Sequence, residues 1–158
     1  MGYSYFRIND TTVSEDSGYA NVTITRSGDT GYGERIYAYT SDGNAGSSTG
    51  DYSYTRNYVY FNPYETSKSF SVKINDDSYT EGSESFSVSL RSAMRRSSYG
   101  SYYTNTYARI NDNYANVNIL DNDPQITPSY FNVSDTETTE GGALQFKVSR
   151  TGDLNHSG

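Results

Sequence analysis

The chain contains no cysteine and no tryptophan, and only one of its 158 residues is histidine. Without cysteine it has no disulfide bond, no thiolate metal site and no thiol redox chemistry. Its stability must therefore come from packing or from a bound ion. Apolar runs are far shorter than the ~20 residues that a membrane-spanning helix needs. Met1 is also not followed by the apolar segment of a secretory signal. We expect no membrane insertion, and no signal peptide in the chain as given.

Large aliphatic residues are also scarce. Leu, Ile, Val and Phe together supply 25 of the 158 residues, a fraction of about one in six that is typical of disordered chains. The 18 tyrosines change this expectation, because a tyrosine can bury its ring while its hydroxyl group stays hydrated. We expect a thin, aromatic core. Such a core suits two packed sheets, since Tyr, Thr, Val and Ile favour strands.

The chain has fewer positively charged residues (12 Lys and Arg) than negatively charged ones (19 Asp and Glu). The formal net charge is −7 and the sequence pI is about 4.6. This balance argues against nucleic acid and anionic membranes as partners, because both carry negative charge. It favours cations as ligands.

Alternation of apolar and polar residues recurs along the first 120 residues, with turn residues between the runs. It predicts strands over residues 3–13, 19–26, 34–40, 58–61, 68–74, 84–90 and 107–120. In the sixth of these, Phe86, Val88 and Leu90 face one side and serines face the other. Seven strands with short loops predict an all-β fold, a seven-stranded, immunoglobulin-like antiparallel β-sandwich.

A partial repeat follows the last predicted strand. The stretch DNDPQITP (121–128) contains two prolines around a short polar segment, which indicates a boundary between modules. Beyond it, residues 131–153 align with residues 6–29, including RTGD against RSGD. We therefore expect a domain over 1–123, a linker over 124–128, and the first two strands of a second repeat over 129–158. Two strands cannot bury a sandwich core alone, so this segment is either truncated or completed by another chain.

Carboxylates crowd the stretch INDDSYTEGSE (74–84). Like charges this close are either well solvated or joined by a cation. In a run of sandwich strands, alternate connections lie at the same end, so four acidic segments are expected to meet there. Their acidic residues are Glu15, Asp51, Asp76, Asp77, Glu81, Glu84, Asp121 and Asp123. Oxygen ligands in this number favour Ca²⁺ over zinc or copper, and over Mg²⁺, which retains its waters.

The same residues carry a resemblance. VSEDSG (13–18), ITRSGD (24–29), the TSDGNAG turn (40–46), GDY (50–52), VKINDDSYTEGSESFSVSL (72–90) and NILDND (118–123) resemble the Calx-β domain. This module occurs in sodium/calcium exchangers, integrin β4 and many surface proteins. The resemblance covers residues 6–123.

The resemblance implies a cluster of calcium ions at the acidic end. It assigns Glu15 and Asp51 one carboxylate each, and it makes Asp76 and Asp77 bridging ligands. It also implies that Tyr79 offers its backbone carbonyl and that Glu81, Glu84, Asp121 and Asp123 close the site. Asn122 departs from the all-Asp form of the terminal triplet, which removes one charge.

These observations lead to two expected functions. The first is a calcium-binding, non-catalytic module of an extracellular or cell-surface tandem-repeat protein, in which calcium stiffens the junction between domains. The alternative is a structural subunit of an extracellular fibre or adhesin that assembles head-to-tail by strand donation from residues 129–158. The expected partners are calcium and neighbouring Calx-β repeats or copies of itself.

Catalysis has little support in the sequence. Paired carboxylates can hydrolyse glycosides, but here they form a cluster, and the chain has no tryptophan to bind a sugar ring. His156 lies among polar residues near the end. The connection RSAMRRSSYGSYYTNTYA (91–108) combines arginines with tyrosines. We expect it to form a contact surface for an acidic partner, such as the acidic end of a neighbouring copy.

Overall fold

The computed structural model describes residues 2–97, 100–104, 107–125 and 127–152. His156 lies outside these residues. The chain divides into two units, the first ending at Asn122 and the second beginning at Asp123, and each is described by itself. No helix that is long and apolar enough to cross a membrane occurs in the described part.

The first unit is a sandwich of two sheets. Its strands are β1 Ser4–Ile8, β2 Thr11–Ser14, β3 Tyr19–Gly28, β4 Glu34–Ser41, β5 Arg56–Phe61, β6 Ser67–Lys73, β7 Glu84–Arg96, β8 Tyr102–Thr104, β9 Ala108–Ile110 and β10 Tyr114–Leu120. One sheet has the order β6-β3-β1-β9. The other has the order β2-β10-β7-β4-β5, with β8 paired to β7. The predicted all-β sandwich is confirmed.

Two predicted strands are each divided between the sheets. The stretch 3–13 forms β1, which pairs with β3, and β2, which pairs with β10. The chain crosses between sheets where the Asn9 amide donates to the Thr23 carbonyl and the Asp10 carboxylate accepts the Asn116 amide. The stretch 107–120 is likewise divided into β9, which belongs to the smaller sheet, and β10, which belongs to the larger one. Since β1–β9 and β2–β10 pair in parallel, the purely antiparallel prediction is wrong at these two pairs.

The core lies between the sheets and consists of small and aliphatic side chains with a few aromatic rings. Its buried residues are Phe6, Ile8, Ala20, Val22, Ile24, Ile36, Ala38, Ala45, Tyr52, Val59, Phe61, Phe70, Val72, Ile74, Phe86, Val88, Leu90, Ala93, Ala115, Val117 and Ile119. Those within strands mostly occupy alternate positions, since successive side chains point to opposite faces. The ring of Tyr52 stacks on Phe86 at 4.0 Å between centroids.

Tyrosine contributes less to this core than the composition predicts. Among the described residues, Tyr52 is the one tyrosine in the buried cluster. The inward positions of the strands are already filled by Val, Ile, Phe, Leu and Ala, and a phenol needs a partner for its hydroxyl group when it is buried. The other tyrosines described are half-buried or exposed. The prediction of a largely aromatic core is therefore wrong.

A buried ion network joins the two sheets at one end of the sandwich. The Glu34 carboxylate of β4 accepts from Arg95 Nε of β7 at 2.8 Å and from Arg26 Nη1 of β3 at 3.2 Å. It also accepts from the Ser4 hydroxyl at 2.8 Å. Arg26 donates in addition to the backbone carbonyls of Tyr32, Thr30, Asn62 and Glu65.

Burial is the main influence on Arg26 and lowers its pKa, although Glu34 opposes this shift. Arg95 is only 1% exposed. Its placement corrects the expectation that the arginines of residues 91–108 all belong to a contact surface. A guanidinium group this deep is retained because a carboxylate lies beside it.

The described residues of the second unit contain one hairpin, formed by β11 Tyr130–Val133 and β12 Val148–Thr151. Its register pairs Phe131 with Arg150, as β1 and β3 pair Phe6 with Arg26. Gly28 and Gly152 both have positive φ, at 80° and 94°. A Cβ atom on either would lie within 2.2 Å of a backbone carbonyl oxygen, so both turns require glycine.

We predict that Glu34→Gln lowers the free energy of unfolding by about 3–5 kcal/mol, because it removes the buried carboxylate that pairs with both Arg26 and Arg95. Chemical denaturation followed by circular dichroism measures this change. Lys68→Ala is the control, since it removes the partly exposed Lys68–Glu65 pair and should cost less than about 1 kcal/mol. Equal losses in the two variants would contradict the role assigned to Glu34.

Candidate metal centre

Four chain segments place carboxylates at the end of the first unit where β2, β6 and β10 finish. Glu15 lies in the 3₁₀ turn Glu15–Ser17 that follows β2, and it is 7% exposed. Asp51 lies in the connection between β4 and β5, and Glu81 lies between β6 and β7. Asp121 follows β10 directly. The topology therefore brings residues from four separate segments to one end, as the strand order predicted.

The β6–β7 connection is held against the exit of β10 by hydrogen bonds from its backbone amides to the Asp121 carboxylate. The amides of Glu81 and Gly82 both donate to Asp121 Oδ2 at 3.0 Å. The Tyr79 amide donates to Asp77 Oδ1 at 2.7 Å, which closes a turn within the connection. Asp121 thus fixes the position of Glu81.

The β4–β5 connection is ordered around Asp51. Its Oδ2 atom accepts from the Gly46 amide at 2.7 Å and from the Thr49 hydroxyl at 2.8 Å. The Asn75 amide donates to the Asp51 carbonyl at 3.0 Å, so the end of β6 lies beside this loop. The bonds from Gly46 and Thr49 orient the Asp51 carboxyl group.

Two supporting residues, Asp42 and Asn44, were not predicted as site residues from the sequence. The Asp42 carboxylate accepts from the Tyr52 hydroxyl and the Ser47 amide. The first of these bonds is the main reason that the pKa of Asp42 is lowered. Asn44 Oδ1 accepts from the amide of Ser85, directly after Glu84, at 2.7 Å. Their signal in the sequence is the TSDGNAG turn, because Asp and Asn side chains bond to nearby backbone groups in turns.

The carboxylates line a small pocket. Its walls are Glu15, Asp51, Glu81, Gly82, Glu84, Ile119 and Asp121, and its volume is about 10 Å³, roughly the space of one water molecule. Among the described residues, two groups of carboxylates that lie wholly within the first unit are compact enough to share an ion, with ligand atoms within 4.8 Å of one another. They are Glu15 with Asp77 and Glu81, and Asp51 with Glu81 and Glu84. Glu81 belongs to both.

The electrostatics of the pocket disfavour its fully ionised form. The pKa of Glu84 is raised, first by burial and then by the neighbouring carboxylates of Asp51 and Glu81. A divalent cation between these groups would remove that repulsion. The donor set fits such an ion, because it consists of hard carboxylate oxygens with no nitrogen or sulfur ligand.

The predicted ligands Asp76, Tyr79 and Asp123 are not members of these two groups. Asp76 is exposed and belongs to neither. Tyr79 is 71% exposed, and the role of its carbonyl stays a prediction. Asp123 is the first residue of the second unit, and the pocket described above is formed by the first unit alone.

These observations define a class of protein, a two-sheet sandwich whose loops form an acidic pocket at one end. The Calx-beta domain family model matches residues 2–123. The chain therefore belongs to the Calx-beta domain family, and the resemblance seen in its motifs is confirmed.

Solved structures show the same fold. The apo-form Calx CBD1 domain aligns with a TM-score of 0.64 and 22% identity, covering 77% of this chain and 99% of that chain. The Calx CBD2 domain aligns with a TM-score of 0.64 and 18% identity, covering 75% and 86%. The CBD12 structure from CALX1.2 aligns with a TM-score of 0.63 and 17% identity, covering 94% and 68%. No curated protein matches the chain.

Proposed function

We propose that the first unit is a calcium-binding, non-catalytic module. The observation that carries this proposal is the pair of carboxylate groups that share Glu81, all of whose members except Asp77 line one pocket. The residues that would hold calcium are Glu15, Asp51, Asp77, Glu81, Glu84 and Asp121. Asp76, Tyr79 and Asp123 remain candidate ligands that the family resemblance implies.

Calcium suits these residues better than magnesium does. Ca²⁺ takes six to eight oxygen ligands in flexible geometry, whereas Mg²⁺ demands a near-octahedral shell and keeps several waters. A pocket with this many carboxylates from separate loops supplies protein oxygens in place of water. It therefore favours the larger ion.

We expect calcium to raise the melting temperature of the protein, with a stabilisation of about 2.7 kcal/mol when calcium is at 100 times its Kd. Magnesium should give a much smaller effect. Glu81→Gln should remove most of the calcium effect, because Glu81 belongs to both carboxylate groups. Calorimetric titration and thermal unfolding measure binding and stabilisation together.

Asp112→Asn is the matched control for that titration, since it removes one exposed carboxylate outside both groups. It should bind calcium as the parent chain does. Unchanged calcium binding in Glu81→Gln would place the ion elsewhere.

We also propose that calcium stiffens the junction between the two units. Support comes from Asp121, which lies two residues before the second unit begins. Its carboxylate lines the pocket and accepts a hydrogen bond from the β6–β7 connection. An ion held there would restrain the exit of β10. The backbone leading into the second unit would then have fewer accessible conformations.

A distance measurement between spin labels tests the junction. The chain has no cysteine, so Ser69→Cys and Thr138→Cys, both at exposed positions, introduce one label in each unit. We expect the distance distribution to narrow when calcium is added and to stay broad when Glu81→Gln is included. Identical distributions with calcium and with a chelator would contradict stiffening.

The second candidate function is a fibre subunit that assembles by strand donation. The hairpin of the second unit supports it, because Phe131 is 69% exposed and Val148 is 62% exposed. In the first unit, Phe6 aligns with Phe131, and Ile24 occupies the register position equivalent to that of Val148. Both Phe6 and Ile24 are fully buried. An apolar hairpin face of this kind can join the sheet of a neighbouring chain.

Deletion of residues 124–158 distinguishes the two functions. A strand-donating subunit would lose its concentration-dependent assembly in sedimentation velocity experiments while its calcium binding persisted. If the full chain stays monomeric at all concentrations tested, the fibre function is wrong. An extracellular or cell-surface location stays a prediction, since neither the fold nor the family membership determines the compartment.

A further inference from the structure

The outer surface of the larger sheet carries an ordered array of tyrosine and arginine. Strand registers align Arg91 with Tyr37 and Tyr37 with Tyr58, and in the next row Met94 with Arg35 and Arg35 with Tyr60. Tyr39 pairs with Ser89 and Arg56 in a third row. We call this surface the tyrosine–arginine face and define it by Arg35, Tyr37, Tyr39, Tyr58, Tyr60 and Arg91.

The side chains of this face hold one another in position. The Arg35 guanidinium lies 4.1 Å from the ring centroid of Tyr58 and 4.5 Å from that of Tyr102. Arg91 lies 5.1 Å from the Tyr39 ring, and the rings of Tyr37 and Tyr58 meet edge to face at 5.2 Å. A partner would therefore meet a surface that is already ordered, which lowers the entropy lost on binding.

The charge of the face is opposite to that of the whole chain. Outward positions of β4, β5 and β7, all within the described residues, include Arg35, Arg56, Arg91 and Arg96 but no Asp or Glu. The chain as a whole has a net charge of −7. The charged side chains at the outward positions of these three strands are therefore all positive, while the pocket carboxylates lie at one end of the same unit.

We propose that the tyrosine–arginine face binds an extended acidic segment of a partner protein. Arginine matches carboxylates with two parallel hydrogen bonds, and the tyrosine hydroxyl groups add further donors. In an extended segment alternate side chains lie about 7 Å apart on one side. This equals the spacing of Arg35, Tyr37 and Tyr39 along β4, so successive carboxylates can meet successive residues of the face.

Nucleic acid is a poorer fit for this surface. A polyanion with a charge at every phosphate would also meet the field of the whole chain, whose net charge is −7. A short acidic segment places its charges on the face alone. A protein partner also exploits the tyrosine rings, which supply rigid contact area.

Titration of the full chain with a peptide of about ten residues that alternates glutamate and serine tests this proposal, with a lysine–serine peptide as the reference. We expect saturable binding of the acidic peptide that weakens as NaCl is added. Amide chemical-shift changes should concentrate on β4, β5 and β7. Absence of binding by the acidic peptide, or shifts on the β6-β3-β1-β9 sheet, would overturn the proposal.

Variants identify the residues responsible. Arg91→Gln at an exposed position should weaken the acidic peptide at least about ten-fold, because it removes a charge-assisted contact. Arg91→Lys should restore only part of this loss, since lysine keeps the charge but not the planar, stacked guanidinium. Arg109→Gln is the matched control. Arg109 stacks 4.4 Å from the Tyr3 ring on the other sheet, and its replacement should change the affinity by less than about two-fold.

Two further outcomes would also overturn the proposal. One is tighter binding of a single-stranded oligonucleotide than of the acidic peptide at the same salt concentration. The other is saturation of the face by a second copy of the chain, seen as self-association that Arg91→Gln abolishes. The proposal is independent of calcium binding, so peptide affinity should be the same with calcium and with a chelator. Loss of calcium binding in Glu81→Gln with retained peptide binding separates the two sites.

Discussion

The sandwich depends on one carboxylate that lies between two guanidinium groups. Glu34 belongs to the larger sheet, as does Arg95, while Arg26 and Ser4 belong to the smaller one. Removing such charges from water is costly unless every partner is in place, so this network favours one relative position of the sheets. The relative position of the sheets also determines where the loops at the other end lie. It therefore brings four carboxylates to one pocket, those of Glu15, Asp51, Glu81 and Asp121.

Alternation of apolar and polar residues was enough to predict the all-β class and most of the strands. It failed where a strand leaves one sheet for the other, because the change at Asn9 and Asp10 depends on hydrogen bonds to β3 and β10 that are distant in sequence. The amino-acid composition overestimated the contribution of tyrosine to the core. Composition counts rings, but it does not show which side of a strand each ring occupies.

The carboxylates were predictable because alternate connections of a sandwich lie at one end. Their arrangement within that end was not. Asp77 and Glu81 share a group while the adjacent Asp76 does not, since a turn closed by the Tyr79 amide directs neighbouring side chains differently. Asn44 and Asp42 were missed because they act through backbone amides and a tyrosine hydroxyl group rather than as candidate ligands.

The parallel pairing of β2 with β10 has a mechanical consequence. In a parallel pair the beginning of one strand and the end of the other lie at opposite ends of the ladder. Tension applied between the start of β2 and the exit of β10 would therefore load the paired residues from Thr11 to Ser14 together. They would resist as a sheared patch, whereas an antiparallel pair pulled from one end would unzip bond by bond.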